Sequence, residues 1–308
     1  MRMLLPLLLL LAACAHRPAA VVQTPSPVQS PKPKGWANQQ EYDEANAAKG
    51  ETDPAKRLAL LETWSKDFPT TDYLDERRDV YLGTYQALKM PRETFDTALE
   101  ILKTRPANLV AAADVLQAVM QLQPAPSPAD LDAGAKVAER VVFDTDEFFS
   151  FANKPASITT EAWRSAKRQV PPYAEAVLIA IYNARDDHKR NVDDLTKLIQ
   201  HDPMLPGAAY QLGAAMLRLF ADENQSERSP LAFWQFARAA VYDGPGALPA
   251  DQRQIPLNYL NKAYPLFHGS TDGLDDLLKL AKYSPFPPAS FHIEQTGEPR
   301  VEPASFSK

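Results

Sequence analysis

The chain has 308 residues, a formal net charge of −6 and one cysteine. That length can bury a sizeable core or build an elongated repeat array, while a single cysteine excludes a fold stapled by internal disulfides. The acidic balance gives no support to nucleic-acid or polybasic membrane binding, so no nucleic-acid partner is expected.

Leu4 to Ala13 form a ten-residue apolar run interrupted only by Pro6. A helix needs about 20 apolar residues to cross a bilayer, so this run does not read as a span. Arg2, the leucines and the small residues ahead of Cys14 have the layout of an export signal. The string Leu11-Ala12-Ala13-Cys14 resembles the bacterial lipobox. That resemblance implies residues 1–13 as a lipoprotein signal peptide and lipidation at Cys14, whose thiolate is the nucleophile that takes the lipid. It also implies a lipid-anchored (palmitate-type) envelope protein, with Ala15 compatible with the periplasmic side of the outer membrane. An ordinary secretory signal with an incidental cysteine is the competing reading. Residues 14–35 then form the anchor and a tether. Five prolines between Ala15 and Gly35 favour polyproline II over helix, with a reach of roughly 60 Å at about 3.1 Å per residue.

From Trp36 the chain alternates helix-length periodic segments with proline punctuation. Asn38 to Lys49 is the first helix. Asp53-Pro54 supplies a cap and a proline at the first position of the second, where Leu58, Leu61, Trp64 and Phe68 share one face that must be buried. Thr71 to Leu88 and Arg92 to Lys103 follow, and Pro106 opens another helix to about Gln121. These segments place N-terminal helix hairpins over 36–122. Residues 123–171 read as irregular, with helices near Leu131 to Val142 and Glu161 to Lys167. Pro171-Pro172 breaks the pattern there. Residues 172–290 resume it at Tyr173 to Tyr182, Val192 to Gln200, Gly207 to Phe220, Leu231 to Tyr242, Tyr259 to Leu266 and Leu274 to Lys282. Residues 291–308 read as a disordered tail. The β-branched string VLIAIY keeps a strand option open, but the overall reading is all-α.

The segment HDPMLPGAAYQLGAAM carries Leu212-Gly213, and the helix after it carries Ala232 and Phe236 four residues apart. Leu82-Gly83, Thr94, Ala98 and Pro106 form a weaker match, with prolines 69 and 106 spaced 37 residues apart. Together these motifs resemble the tetratricopeptide repeat (TPR), a helix hairpin of roughly 34 residues. The flanking segments also resemble parts of TPR-containing proteins from acidobacteria-like genomes. The resemblance implies an α-α superhelix of antiparallel hairpins, with a generic α-solenoid as the alternative, and a concave surface lined by the first helices. Candidate groove residues are Tyr81, Tyr85, Tyr210 and Gln211, each with interhelix packing as the competing role.

No catalytic, cofactor-binding or metal-binding constellation emerges from the sequence. Asp144, Asp146 and Glu147 lack the calcium-loop pattern and read as a capped helix start or an acidic loop. GSTDG reads as a turn with Ser270 or Asp272 capping the next helix. His188 reads as solvent-facing and His201 as a helix-end residue. The expected function is a non-enzymatic scaffold that binds an envelope protein or extended peptide. A glycan or small-solute binder is the alternative, with a hydrolase lacking recognisable motifs a more distant one. Only Trp36, Trp64, Trp163 and Trp234 could offer stacking platforms to a glycan, and Trp64 and Trp234 sit on apolar helix faces.

Overall fold

The computed structural model describes residues 34–296; Cys14, most of the tether and residues 297–308 lie outside that range. Thirteen α-helices and no strand occur among the described residues. They run α1 (Gln39–Gly50), α2 (Pro54–Asp67), α3 (Leu74–Ala87), α4 (Pro91–Thr104), α5 (Leu109–Ala118), α6 (Pro128–Phe143) and α7 (Thr145–Phe148). The series continues with α8 (Thr160–Ala184), α9 (His188–His201), α10 (Pro206–Asp222), α11 (Ser229–Val241), α12 (Ala250–His268) and α13 (Leu274–Ala281). Contacts fall mainly between consecutive helices, the pattern of a helical solenoid.

Local chemistry sets most helix starts. Asn38, Asp53, Asn108, Ser127, Thr159 and Asp187 each accept a backbone N–H of the first turn that they precede. At α6 the exchange is reciprocal, because Asp130 returns a bond to the Ser127 N–H. Asp130 also takes a two-pronged pair from Arg92 on α4, at 2.7 and 2.9 Å. That Arg92 guanidinium holds the Asp130 carboxyl well below the usual carboxylate range, against the opposing effect of burial.

Three buried clusters follow the chain. Ala45, Ala48, Leu61 and Trp64 close α1 on α2. A large central cluster runs from Leu82 to Ala215. A third joins α10 to α13 through residues such as Phe233, Phe236 and Phe267. α10 is the joint between the last two, since Leu212 faces the central cluster and Leu217 the third. Buried arginines stitch the helices where apolar contacts thin out. Arg77 donates to the Trp64, Phe68 and Pro69 carbonyls at the end of α2 and lies over the Trp64 ring. Arg185 pairs with Asp194 at 2.8 Å and Asp132 at 3.1 Å, joining α6 and α9 to the end of α8.

Several local expectations change in the folded chain. Pro171 and Pro172 do not break α8, which runs straight through both. The carbonyls that lose helical partners belong to Lys167 and Arg168, both exposed, so solvent compensates for what a buried helix could not. VLIAIY lies inside α8, with Val177, Leu178, Ile181 and Tyr182 buried at helical spacing. The helix expected from Pro106 starts at Leu109 under the Asn108 cap and ends in a 3₁₀ turn at Val119–Gln121. α12 begins at Ala250 and absorbs Pro256 and Pro265. GSTDG does form a turn, but neither Ser270 nor Asp272 caps α13. Gly273 occupies the cap at φ 82, and Ser270 accepts the Asp272 N–H instead.

The two Leu-Gly pairs behave differently. A Cβ on Gly213 would sit 3.2 Å from both the Ala232 carbonyl and the Phe236 ring, so α10 and α11 approach closely only because this residue is glycine. Gly83 has open space around its Cβ position, and it faces a cleft rather than α4. Residues 284–296, partly assigned by sequence to the tail, lie along α11 and α12. Trp234 Nε1 donates to the Ser284 carbonyl at 3.2 Å, Gln235 donates to Pro285, and Phe291 packs edge-on against Trp234.

Candidate interaction cleft

A cleft of about 630 Å³ lies between α3 and α5. Its floor is apolar, formed by Leu82 on α3 with Pro106 and Leu109 at the start of α5, and Ile158 closes the far wall. Asp79 and Arg105 form a two-pronged ion pair at its edge, at 2.6 and 2.9 Å. Val110 stands at the mouth, 54% exposed.

The wall at Asn153–Ile158 is positioned by the irregular segment that follows α6. Phe148 and Phe149 are buried, and Trp163 on α8 donates to the Phe149 carbonyl at 2.9 Å. Asn153 donates to the Glu147 carbonyl, and the Lys154 ammonium donates to the Ile158 carbonyl at 2.6 Å. A stretch without regular secondary structure is thereby fixed over the cleft. The acidic residues ahead of it are ion-pair partners, Asp146 with Lys167 and Glu147 with Arg140. No group of His, Cys, Asp and Glu able to hold a metal occurs among the described residues.

A second cavity of about 460 Å³ adjoins the first and shares Gln86 with it. Its lining mixes apolar and polar groups, with Asp114 of α5 and Lys89 of the α3–α4 turn among the latter. Asp114, the only charged residue of α5, is 6% exposed. Its Oδ1 accepts from the Gln86 amide, while Oδ2 is buried without a hydrogen-bond partner. Burial pushes this carboxyl up to about 6, only partly offset by the Gln86 bond. Glu175 on α8 is raised to about 7 by burial and by the neighbouring charge of Asp202, but it lines neither cavity.

The sign of the Asp114 effect gives a stability prediction. The carboxyl titrates higher in the folded chain than at its ordinary value of 3.8. Ionisation therefore opposes folding, and the penalty builds as pH rises from about 4 to about 6. Asp114→Asn should raise unfolding free energy at pH 7.5 by about 1–3 kcal/mol relative to the parent, with the difference fading below about pH 4. Urea unfolding at both pH values checks this; an equal difference at the two would disprove the assignment.

The four residues expected to line a groove separate into two places. Tyr81 and Tyr85 stack on one another at 5.4 Å, and the Tyr81 hydroxyl lies 2.9 Å from Ser65 Oγ on α2. They occupy a different face of α3 from Leu82 and Gly83, which line the cleft. Burial raises both phenols. Tyr210 and Gln211 do come together, in a smaller cleft of about 280 Å³ with Ile179, Leu248 and Ile255. Tyr210 also packs edge-on against Phe236. Of the tryptophans, Trp64, Trp163 and Trp234 are buried. Trp36 stacks on Tyr73 at 3.6 Å beneath the Lys49 ammonium. His188 is half-buried with Nδ1 2.8 Å from Asp222, and His201 packs edge-on against Phe143 at the end of α9.

Gln86, Lys89 and Asp114 escaped the sequence reading. One signal was present: Asp114 is the lone charge in Leu109-Val-Ala-Ala-Ala-Asp-Val-Leu, and an acid in such a run needs a partner or a purpose. Comparison of the chain with protein-family models, curated proteins and solved structures yielded no match.

Proposed function

We propose that the chain is a lipid-anchored scaffold of the bacterial envelope that binds a protein or peptide partner, without catalysing a reaction, through the cleft between α3 and α5. The observation that carries this reading is the cleft itself: an apolar floor and a charged edge, with Val110 presented to solvent at its mouth. Apolar area that the fold leaves open and rims with polar groups is what a partner can bury. The succession of helix pairs and the close approach at Gly213 favour a TPR-like superhelix over an unrelated bundle. Leu11-Ala12-Ala13-Cys14 favours anchoring through a lipid on Cys14, and the Pro-rich spacer would then give the body reach.

A photo-crosslinking residue placed at Val110 tests the cleft in intact envelopes, with Leu280 on α13, equally exposed at 54%, as the control. A discrete protein adduct is expected at Val110 and not at Leu280. It should survive replacement of residues 18–34 by a flexible sequence of equal length. In a parallel arm, Cys14→Ser should shift the protein out of the detergent-extracted membrane fraction. Equal adducts at both positions, or an adduct that depends on the native spacer sequence, would refute binding through the cleft.

A further inference from the structure

The cavity beside the cleft has two opposite charges in its lining that do not pair with each other. Asp114 has one oxygen bonded to Gln86 and the other buried without a partner. Lys89 lines the same cavity of about 460 Å³ and forms no ion pair among the described residues. Lys89 is held at φ 55 by the tight turn between α3 and α4, where its N–H donates to the Gln86 carbonyl. The backbone thus fixes where the Lys89 side chain leaves the turn, and its flexible stem carries the ammonium at the rim of the cavity.

An unpaired carboxylate oxygen in a low-dielectric setting is costly, and an ammonium is the group that relieves it best. A metal ion is disfavoured because Asp114 is the only carboxylate of this lining, and hard cations need several oxygen ligands with compensating charge. An anion alone would suit Lys89 but would be repelled by Asp114. The ligand class that satisfies both ends carries an ammonium and a carboxylate. Gln117 and Gln121 add amide groups to the wall, while Met90, Pro91 and Ala118 supply apolar surface for a side chain.

We infer that this cavity is a binding site for a small zwitterion, an α-amino acid or the end-to-end span of a short peptide, with its ammonium at Asp114 and its carboxylate at Lys89. Gln86, itself exposed, donates to one oxygen of the Asp114 carboxylate. A rotamer change at this one flexible side chain admits the ligand ammonium. Gln86 lines both cavities, so the same movement reshapes the wall of each. The inference does not depend on a protein partner in the cleft, and crosslinking at Val110 can fail while this site stands.

The test is isothermal titration of the full chain in detergent with L-leucine, L-leucinamide, 4-methylpentanoate and alanyl-leucine. L-leucine or alanyl-leucine should bind saturably. L-leucinamide, which lacks the carboxylate, and 4-methylpentanoate, which lacks the ammonium, should bind at least tenfold more weakly. A tighter dipeptide assigns the natural source to peptides, and a tighter amino acid assigns it to free amino acids. Asp114→Asn should abolish the heat, and Lys89→Met should weaken binding at least tenfold. Lys89 is exposed, so its substitution leaves the core untouched and tests the site independently of any change at Asp114. No saturable heat with any probe up to 10 mM overturns the site. So does equal affinity for L-leucine and L-leucinamide, or binding unchanged in Lys89→Met.

Discussion

Trp234→Ala should destabilise the protein by about 3–5 kcal/mol, the range for deleting a large aromatic side chain from a packed core. Trp234 is 1% exposed in the middle of α11. Its ring packs against Phe291 at a centroid distance of 5.0 Å, and its N–H reaches the Ser284 carbonyl. The substitution therefore leaves a cavity and also releases the 284–296 strap from α11. Denaturant unfolding of the full chain measures the loss. Trp234→Phe separates the two contributions, since it keeps most of the ring volume and removes the hydrogen bond, for an expected cost of about 1–2 kcal/mol. A change below 1 kcal/mol in Trp234→Ala would mean that the strap and this part of the core do not stabilise the fold.

The second large effect is expected at Arg238. Its guanidinium donates to the Ala281 and Lys282 carbonyls at the end of α13 and to the Pro203 carbonyl between α9 and α10, while stacking on Tyr242 at 4.0 Å. Arg238 is 5% exposed and has no carboxylate in ion-pair contact among the described residues. Burial lowers its guanidinium from the ordinary value, but the group remains charged at any pH where the protein is folded. The negative end of α13 supplies part of the compensation. Arg238→Met strands three carbonyls, two of them at a helix terminus, and should cost about 2–4 kcal/mol. Arg238→Lys should recover only part of this, because one ammonium cannot span Pro203 and α13 as a planar fork does. Hydrogen exchange should show the loss first in residues 274–282. Unchanged exchange there would place the stabilisation elsewhere.

These two residues show how far local pattern reached. The apolar face of α11 is written in its spacing, and the expected helix from Leu231 to Tyr242 nearly matches Ser229–Val241. That Trp234 would meet Phe291 across more than 50 residues is not written there. Arg238 is the one charge in the run Leu231 to Val241. Burying it requires three carbonyls that converge only after α9, α10 and α13 have packed. Tyr81 and Tyr85 illustrate the same difficulty in reverse. Their i, i+4 spacing shows that they share a face of α3, but not whether that face meets another helix or lines the cleft.

The sequence by itself determined the all-α class, because periodic faces, capping residues and first-turn prolines act within one or two turns of chain. It marked Gly213, Ala232 and Phe236 as motif residues, and the fold brings the three together where α10 meets α11. Tertiary structure alone decided that Pro171 and Pro172 would be carried inside α8, because that depends on which carbonyls remain exposed. It also decided where the openings lie. The cleft exists because α3 and α5 stand apart at Gly83 while residues 153–158 close over the gap. Gln86, Lys89 and Asp114 share a cavity because that packing brings together Gln86 and Asp114, positions 28 apart in the chain. Local preferences act along the backbone, whereas a cavity is the space between elements, and only their packing fixes it.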